Sequence, residues 1–394
     1  MSSYNIPYGL MSVVAEIDLS AVIHNCRLIR NLAGTGSKIC AVVKSNAYGH
    51  GVDTVLPALQ EAKVEMLSVA TIAEAAELRG LGWDNPILLL GSELSIYQGK
   101  TKTEAARWLV ENEVRITAMY TGDIDALEKA ARKCGKPANV HLMLDTGMNR
   151  IGLPESELVK LIDDIAGREK VNIEGLYTHL AAADQKDKSF SYSQLDKFRK
   201  FIERLSEKGI SPDTIHIANS AFLLDVQDDF FDMVRPGIAV YGYHPSAEMV
   251  NRADLKMCLK LKTYLETVKK VPAGDTIGYG RSYKAQKDML IGVAAVGYGD
   301  GYDRGLSNKG KMKIADTYVP VIGKVTMNQT ILDLTNLQAE GLEPHPGMEV
   351  TVIDNDRDSV NNIERIAEQL GTVPHEIVAR LGGHIKRVAV RSQQ

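Results

Sequence analysis

Short apolar runs alternate with amphipathic segments of helical period along residues 18–250. The runs predict strands at residues 39–43, 66–70, 87–90, 116–119, 140–144, 173–177, 214–217 and 237–241. The segments between them carry helix punctuation. One helix is predicted over 19–32, after Asp18 and before Gly34. Others follow over 72–79, between Thr71 and Gly80, and over 124–133, between Asp123 and Gly135. A fourth, over 192–208, stops at Gly209. Asp and Thr side chains accept from the free N–H groups of a helix start, and Gly tolerates the left-handed turn at its end. Eight strands with intervening helices predict an α/β fold, a (β/α)8 TIM-type barrel. The alternative is an open doubly wound sheet, but no Gly-x-Gly-x-x-Gly follows a strand here.

The rhythm changes over residues 251–394. Residues 259–265 alternate with period two, as a half-buried strand does. Further strands are predicted at 290–296, 311–314, 319–322, 329–334 and 348–353, with helices only at 360–370 and 375–381. A mostly β C-terminal domain therefore follows the barrel. The segment 10–17 precedes the first helix and is a candidate to join that domain.

Composition removes several function classes. At 394 residues the chain can bury a large core. Its 44% hydrophobic and 24% charged residues are ordinary for a globular enzyme. A net charge of −4 offers no general attraction for nucleic acid or an anionic membrane. No apolar run reaches membrane-spanning length, and residues 1–10 have no secretory n-region or h-region. Cys26, Cys40, Cys134 and Cys258 are scattered, with no Cys-x-x-Cys pair. That fits reduced thiols in the cytoplasm and gives no metal signature.

The chemistry starts at Lys44, which ends the apolar run 39–43 and is followed by Tyr48, Gly49, His50 and Gly51. A lysine at the tip of a buried strand is costly unless its amine is used. A partly desolvated amine loses its proton readily and attacks an aldehyde to form a Schiff base, for which pyridoxal phosphate is the usual biological partner. Barrel enzymes carry their chemistry at the C-terminal ends of the strands. Polar motifs stand there one after another: 145–152, Thr178-His179 and Ala218-Asn219-Ser220 follow the fifth, sixth and seventh predicted strands, and Arg235-Pro236-Gly237-Ile238 leads into the eighth.

These motifs, in this order, with Ile277-Gly278-Tyr279-Gly280 downstream, resemble the alanine racemase family over nearly the whole chain. The resemblance implies a pyridoxal 5'-phosphate enzyme interconverting L- and D-alanine, supplying D-alanine for cell-wall synthesis. It implies that Lys44 holds the cofactor and serves as one base. Tyr279 is the second base on the opposite face of the substrate Cα. A phenol needs help to accept a proton near neutrality, and His179 matches the family histidine that hydrogen-bonds toward that tyrosine. Arg235 matches the arginine facing the cofactor ring nitrogen. A guanidinium only donates, so that nitrogen stays unprotonated, and reprotonation at Cα is favoured over transamination. Tyr48, Ser220, Gly237 and Ile238 match the phosphate cradle, with Asn219 beside them. Arg150 and the Met327 backbone match the groups near the substrate carboxylate. Asp184, Arg304 and Lys324 fall where the family lines its entrance. The resemblance also implies a head-to-tail homodimer with shared sites.

Three positions depart from the family pattern. Met143 replaces a frequent lysine whose carbamylated form orients the arginine. Asn328 replaces an aspartate, and Gly383 stands where an active-site tyrosine touching phosphate is expected. Racemisation of serine or another small amino acid is therefore an alternative. A decarboxylase of the same architecture would carry a Gly-Gly-Gly phosphate loop and a C-terminal cysteine, and neither is present. A non-enzymatic pyridoxal-phosphate carrier would have the barrel without the second domain.

Overall fold

The computed structural model describes residues 11–226, 228, 230–339 and 341–392. The opening ten residues, where no secretory pattern is visible, lie outside them, as does residue 10 of the expected N-terminal strand.

The first strand, β1 (Val13–Asp18), leads into the helix Leu19–Ala33, whose start is capped by Asp18 Oδ1 accepting from Ser20 N at 2.8 Å. Eight parallel strands then close into a barrel: β2 (Lys38–Val42), β3 (Met66–Val69), β4 (Ile87–Leu89), β5 (Val114–Ala118), β6 (Ala138–Met143), β7 (Val171–Tyr177), β8 (Thr214–Asn219) and β9 (Met233–Arg235). Thr71 and Glu74 form a reciprocal capping box on the helix Ile72–Gly80. One part of the barrel interior is apolar, with Cys40, Met66, Leu88 and Met233 packed together. Another part is polar: Thr117, His141, Tyr177, His216 and Arg235 are all buried there.

The eighth barrel strand is displaced from its predicted place. Residues 237–241 are not a strand; Ile238–Tyr241 form a 3-10 turn, and the strand is Met233–Arg235. Pro236 cannot donate to a ladder, so pairing ends before it. The apolar run that follows is buried against the helix Leu19–Ala33, and a short apolar run does not distinguish strand from helix by period alone. Arg235 consequently closes a strand rather than leading into one.

Beyond the barrel come β10 (Leu259–Val271), the short hairpin β11 (Thr276–Ile277) and β12 (Tyr283–Lys284), then β13 (Met289–Ala294), β14 (Lys311–Ile314), β15 (Thr317–Pro320), β16 (Thr330–Asp333), β17 (Glu349–Ile353) and β18 (Lys386–Val390). One eight-stranded sheet runs β15-β14-β17-β10-β1-β18, with β13 joining β10 to β16. The N-terminal strand is thus part of the C-terminal sheet. It pairs antiparallel with β10, Ala15 opposite Leu261, and parallel with β18, Glu16 opposite Val388.

Several contacts fasten this sheet domain to the barrel, among them a hydrogen bond from Arg387 Nε to Gly49 O at 2.9 Å. Glu364, on the helix Ile363–Leu370, accepts from His244 N at 2.9 Å and from Arg357 Nη1 at 3.2 Å, while Arg357 Nη2 donates to Gly242 O and Leu255 O. The helix Pro374–Ala379 lies so close to Gly49 that a Cβ there would stand 2.0 Å from the Val378 carbonyl oxygen. The C-terminal domain therefore presses directly on the Lys44 motif.

Candidate active site

Lys44 begins a turn whose next four residues, Ser45, Asn46, Ala47 and Tyr48, all have φ near +53 to +54°. None is glycine, and each left-handed residue costs about 1–2 kcal/mol. The fold holds the turn from three sides. Glu74 accepts from Ser45 N at 2.6 Å, Asn46 Oδ1 accepts from Val52 N at 2.7 Å, and Gly49 meets Val378. Strain maintained in this way marks functional sites. Here it places Lys44 and Tyr48 on one wall of a cavity of about 540 Å³ at the C-terminal mouth of the barrel, a size suited to a small-molecule ligand.

Nine residues expected at the site line that cavity. Lys44, Tyr48, Arg150 and His179 come from the ends of the early and middle strands; Asn219, Ser220, Arg235, Gly237 and Ile238 come from the last two. Ser220 Oγ accepts from Gly237 N at 2.9 Å and from Ala239 N at 3.3 Å, which sets the loop after β9. A Cβ at Gly237 would stand 2.5 Å from Tyr48 Oη, so only glycine lets that hydroxyl reach the loop. Asn219 Oδ1 accepts from Phe222 N at 3.0 Å. Asp145 Oδ1 accepts from Gly147 N and Asn149 N, shaping the turn that presents Arg150 at the rim. Met143 and Asp184 also line the cavity.

Burial and charge tune the titratable groups. Burial lowers the Lys44 amine, the Arg150 charge lowers it further, and Glu74 opposes both. Burial, then Arg235, Arg150 and Lys44, push His179 down to about 3, so its imidazole is neutral at working pH. Burial raises the Tyr48 phenol to about 12 and lowers the Arg235 guanidinium to about 10, which still leaves Arg235 charged near neutrality.

Tyr279 and Met327 are elsewhere. Within one chain they line a second cavity of about 520 Å³ in the C-terminal domain, with Arg304, Lys324 and Asn328. Tyr279 is 73% exposed and Met327 57% exposed. The single chain therefore does not bring Lys44 and Tyr279 into one cavity, nor His179 beside Tyr279.

Gly383 requires a correction. It lines neither cavity, and a Cβ placed on it would meet open space. The C-terminal domain reaches the cavity with Val373 and His375, the latter from the helix Pro374–Ala379 with its ring 5.9 Å from that of Tyr48. Burial and the Lys44 charge lower His375 to about 4, against the pull of Asp184. Two more residues went unassigned as site residues. Tyr177 lies under the Arg235 guanidinium, 5.0 Å from ring centroid to Cζ, and stacks on His216 at 4.7 Å. The available signal was parity: Tyr177 and His216 occupy inward positions of barrel strands, where a polar side chain needs a reason. Among the described residues, no three His, Cys, Asp or Glu side chains gather as a metal site.

A (β/α)8 barrel with an amine, two arginines and a cluster of short donors at its strand ends, continued by a mostly antiparallel sheet domain, has the architecture of a barrel enzyme with a small-molecule site. Family models sharpen this. The alanine racemase N-terminal domain matches residues 17–245, and the alanine racemase C-terminal domain matches residues 258–389. Alanine racemase 2 of Caldanaerobacter subterraneus subsp. tengcongensis is 35% identical over 376 residues, covering 95% of this chain and 94% of its own length. The alanine racemase structure from Clostridium difficile 630 has a TM-score of 0.87 at 32% identity, covering 97% of this chain and 96% of that one. The alanine racemase from Bartonella henselae, solved with covalently bound pyridoxal phosphate, has a TM-score of 0.83 at 28% identity, covering 96% and 100%. The chain belongs to the alanine racemase family.

The residues present suit that cofactor. A desolvated lysine amine lies in the same cavity as a hydroxyl pair, Tyr48 and Ser220, and Gly237, lacking a Cβ, lets the Tyr48 hydroxyl approach the loop whose short donors suit an anion. At the cavity floor a buried guanidinium faces inward, with no carboxylate directly on it among the described residues.

Proposed function

We propose that the chain interconverts L- and D-alanine by a two-base route, with Lys44 on one face of the substrate Cα and Tyr279 of the partner subunit on the other. As a member of the alanine racemase family it is a pyridoxal-phosphate-dependent isomerase. When bound, the cofactor supplies an electron sink that makes the Cα proton removable. The rest falls to the chain's own side chains. Tyr48 and Ser220, with the amides at Gly237 and Ile238, would hold the phosphate, and Arg235 would face the ring nitrogen. Because arginine only donates, that nitrogen carries no proton. Arg150 would take the substrate carboxylate at the rim as a two-pronged donor. Met143 lines the same cavity as this arginine and cannot offer it the carbamylated-lysine support that the family resemblance leads one to expect.

Lys44 removes or returns a proton from one side. Its lowered affinity for protons, from burial and Arg150, supports that role. The neutral His179 suits hydrogen bonding with a phenol. Inversion needs the second base across the substrate plane. The half-sites support a head-to-tail homodimer: the phenols in the Lys44 cavity, Tyr48 and Tyr177, are buried and raised away from a base's range, while Tyr279, Met327 and Tyr298 stand exposed around a separate cavity that Lys44 does not reach. The product would supply D-alanine for peptidoglycan in the cytoplasm.

The lowered, half-buried Lys44 amine above the Gly237 loop is the observation that carries this reading. To test it, L-alanine and L-serine are incubated with cofactor-loaded protein and the D-enantiomers are separated by chiral chromatography. Alanine should interconvert in both directions. Lys44→Ala and Tyr279→Phe should each lose most of the rate. Undiminished turnover in either variant would reject the assignment of that base.

A further inference from the structure

Arg235 is 3% exposed, and the partners around its guanidinium are neutral. Its Nη2 donates to Thr178 O at 2.8 Å and Ile217 O at 3.3 Å. Its Nη1 lies 2.6 Å from His216 Nδ1. Arginine has no acceptor, so Nη1 donates and His216 Nδ1 is bare. The neutral His216 ring must then carry its proton on Nε2. That atom lies 2.8 Å from His141 Nδ1, so His216 donates again and His141 Nδ1 is bare in turn. The one proton of His141 is left on Nε2, which makes no hydrogen bond and has Glu174 Oε1 as a carboxylate oxygen 3.8 Å away, a contact of charge rather than a closed hydrogen bond. Glu174 accepts from Arg115 Nε at 3.0 Å. One guanidinium thus fixes two tautomers, and every N–H along the row points from Arg235 toward Glu174.

We propose that Glu174, His141 and His216 form a directional relay that positions Arg235 and presents a carboxylate's charge to it across the barrel interior. The local backbone is built for this. The β6–β7 register shifts between Val140 and His141, and His141 pairs with Gly175. A Cβ on Gly175 would stand 2.3 Å from His141 Nδ1, so the imidazole lies over bare backbone that no other residue could provide. Tyr177 stacks on His216 with an interplanar angle of 8°. Burial lowers both His141 and His216, keeping each neutral and able to accept. A doubly protonated ring would break the row, because it has no bare nitrogen. The three relay residues are positioning residues: they act on the reaction only through Arg235. The geometry of the row is independent of any cofactor; its effect on turnover rests on the proposed place of Arg235 at the ring nitrogen.

The test uses full-length, cofactor-loaded protein labelled with 15N-histidine. His141 and His216, identified by loss of their signals in His141→Gln and His216→Gln, should both report a neutral ring with the proton on Nε2 from pH 6 to 9. Racemisation is then compared for two His141 variants of similar size. Glutamine can accept from His216 and should stay within about threefold of wild-type kcat. Leucine cannot, and should lose about tenfold or more with KM little changed. The absorbance of the bound cofactor should shift in the leucine variant and not in the glutamine variant. A proton on Nδ1, a protonated His141, or equal kcat and spectra for the two variants would overturn the relay. If the tautomers are as stated and wild-type protein racemises nothing, the relay stands and the proposed function fails.

Discussion

Gly237→Ala probes the cradle at its tightest point. The added Cβ would stand 2.5 Å from Tyr48 Oη and 3.0 Å from Tyr48 Cζ. Ordinary contact begins near 3.4 Å, so the hydroxyl must retreat by about 0.9 Å. It has little room to do so. Its ring is flanked by Tyr241 at 5.5 Å and His375 at 5.9 Å, and its backbone is held in the left-handed turn. Overpacking of this kind costs about 1–3 kcal/mol. A lost hydrogen bond to a charged group costs about 1.5–3 kcal/mol, which is about 10- to 100-fold in the cofactor dissociation constant. Stripping the protein of cofactor and titrating it back by fluorescence quenching measures this, with thermal denaturation alongside. Because the clash acts through Tyr48, Gly237→Ala should cost less in a Tyr48→Phe background, with a coupling of about 1 kcal/mol. An unchanged dissociation constant in the single variant, or strict additivity in the pair, would refute the proposed cradle.

Lys44→Ala should abolish covalent cofactor attachment, read by mass spectrometry after borohydride reduction, and cut racemisation by about a thousandfold or more. Tyr279→Phe should lower the rate by about 10²–10⁴-fold, while changing stability by no more than about 0.5 kcal/mol, since the side chain is exposed in the chain. Gly49→Ala sets a Cβ 2.0 Å from a backbone oxygen at φ +80°, so calorimetry should show a loss of about 3 kcal/mol or more, or no soluble protein. Burial raises the Glu364 carboxyl, but His244 and Arg357 overcome that and hold it at about 2. A carboxyl depressed on folding adds stability above its unfolded value and loses it as pH falls. Glu364→Gln should therefore cost about 2 kcal/mol at pH 7 in urea unfolding, and progressively less from pH 5 toward pH 2.

The chain's period and punctuation made much of the architecture legible. Asp18 and the Thr71–Glu74 pair cap helices where side-chain chemistry places them. The eighth strand was misplaced because residues 237–241 are buried against a helix whatever their backbone does. The left-handed turn at Ser45–Tyr48 was invisible, since three of its four residues give no local sign of positive φ; packing from Glu74 and Val378 imposes it. His375 escaped notice for a related reason. The contact between a C-terminal helix and the Lys44 turn joins positions over 300 residues apart in sequence, which no local pattern encodes. His141 and His216 read as ordinary strand residues until the barrel closed and turned their rings toward each other.

The central claim is that amine and phenol reach one substrate from two copies of the chain. Differently tagged Lys44→Ala and Tyr279→Phe chains are co-expressed, and the doubly tagged dimer is purified and assayed. Such a dimer holds one site with both groups intact and one with neither. The account predicts about half the wild-type racemisation rate from two parents that are nearly inactive alone. A mixed dimer as inactive as its parents would contradict it.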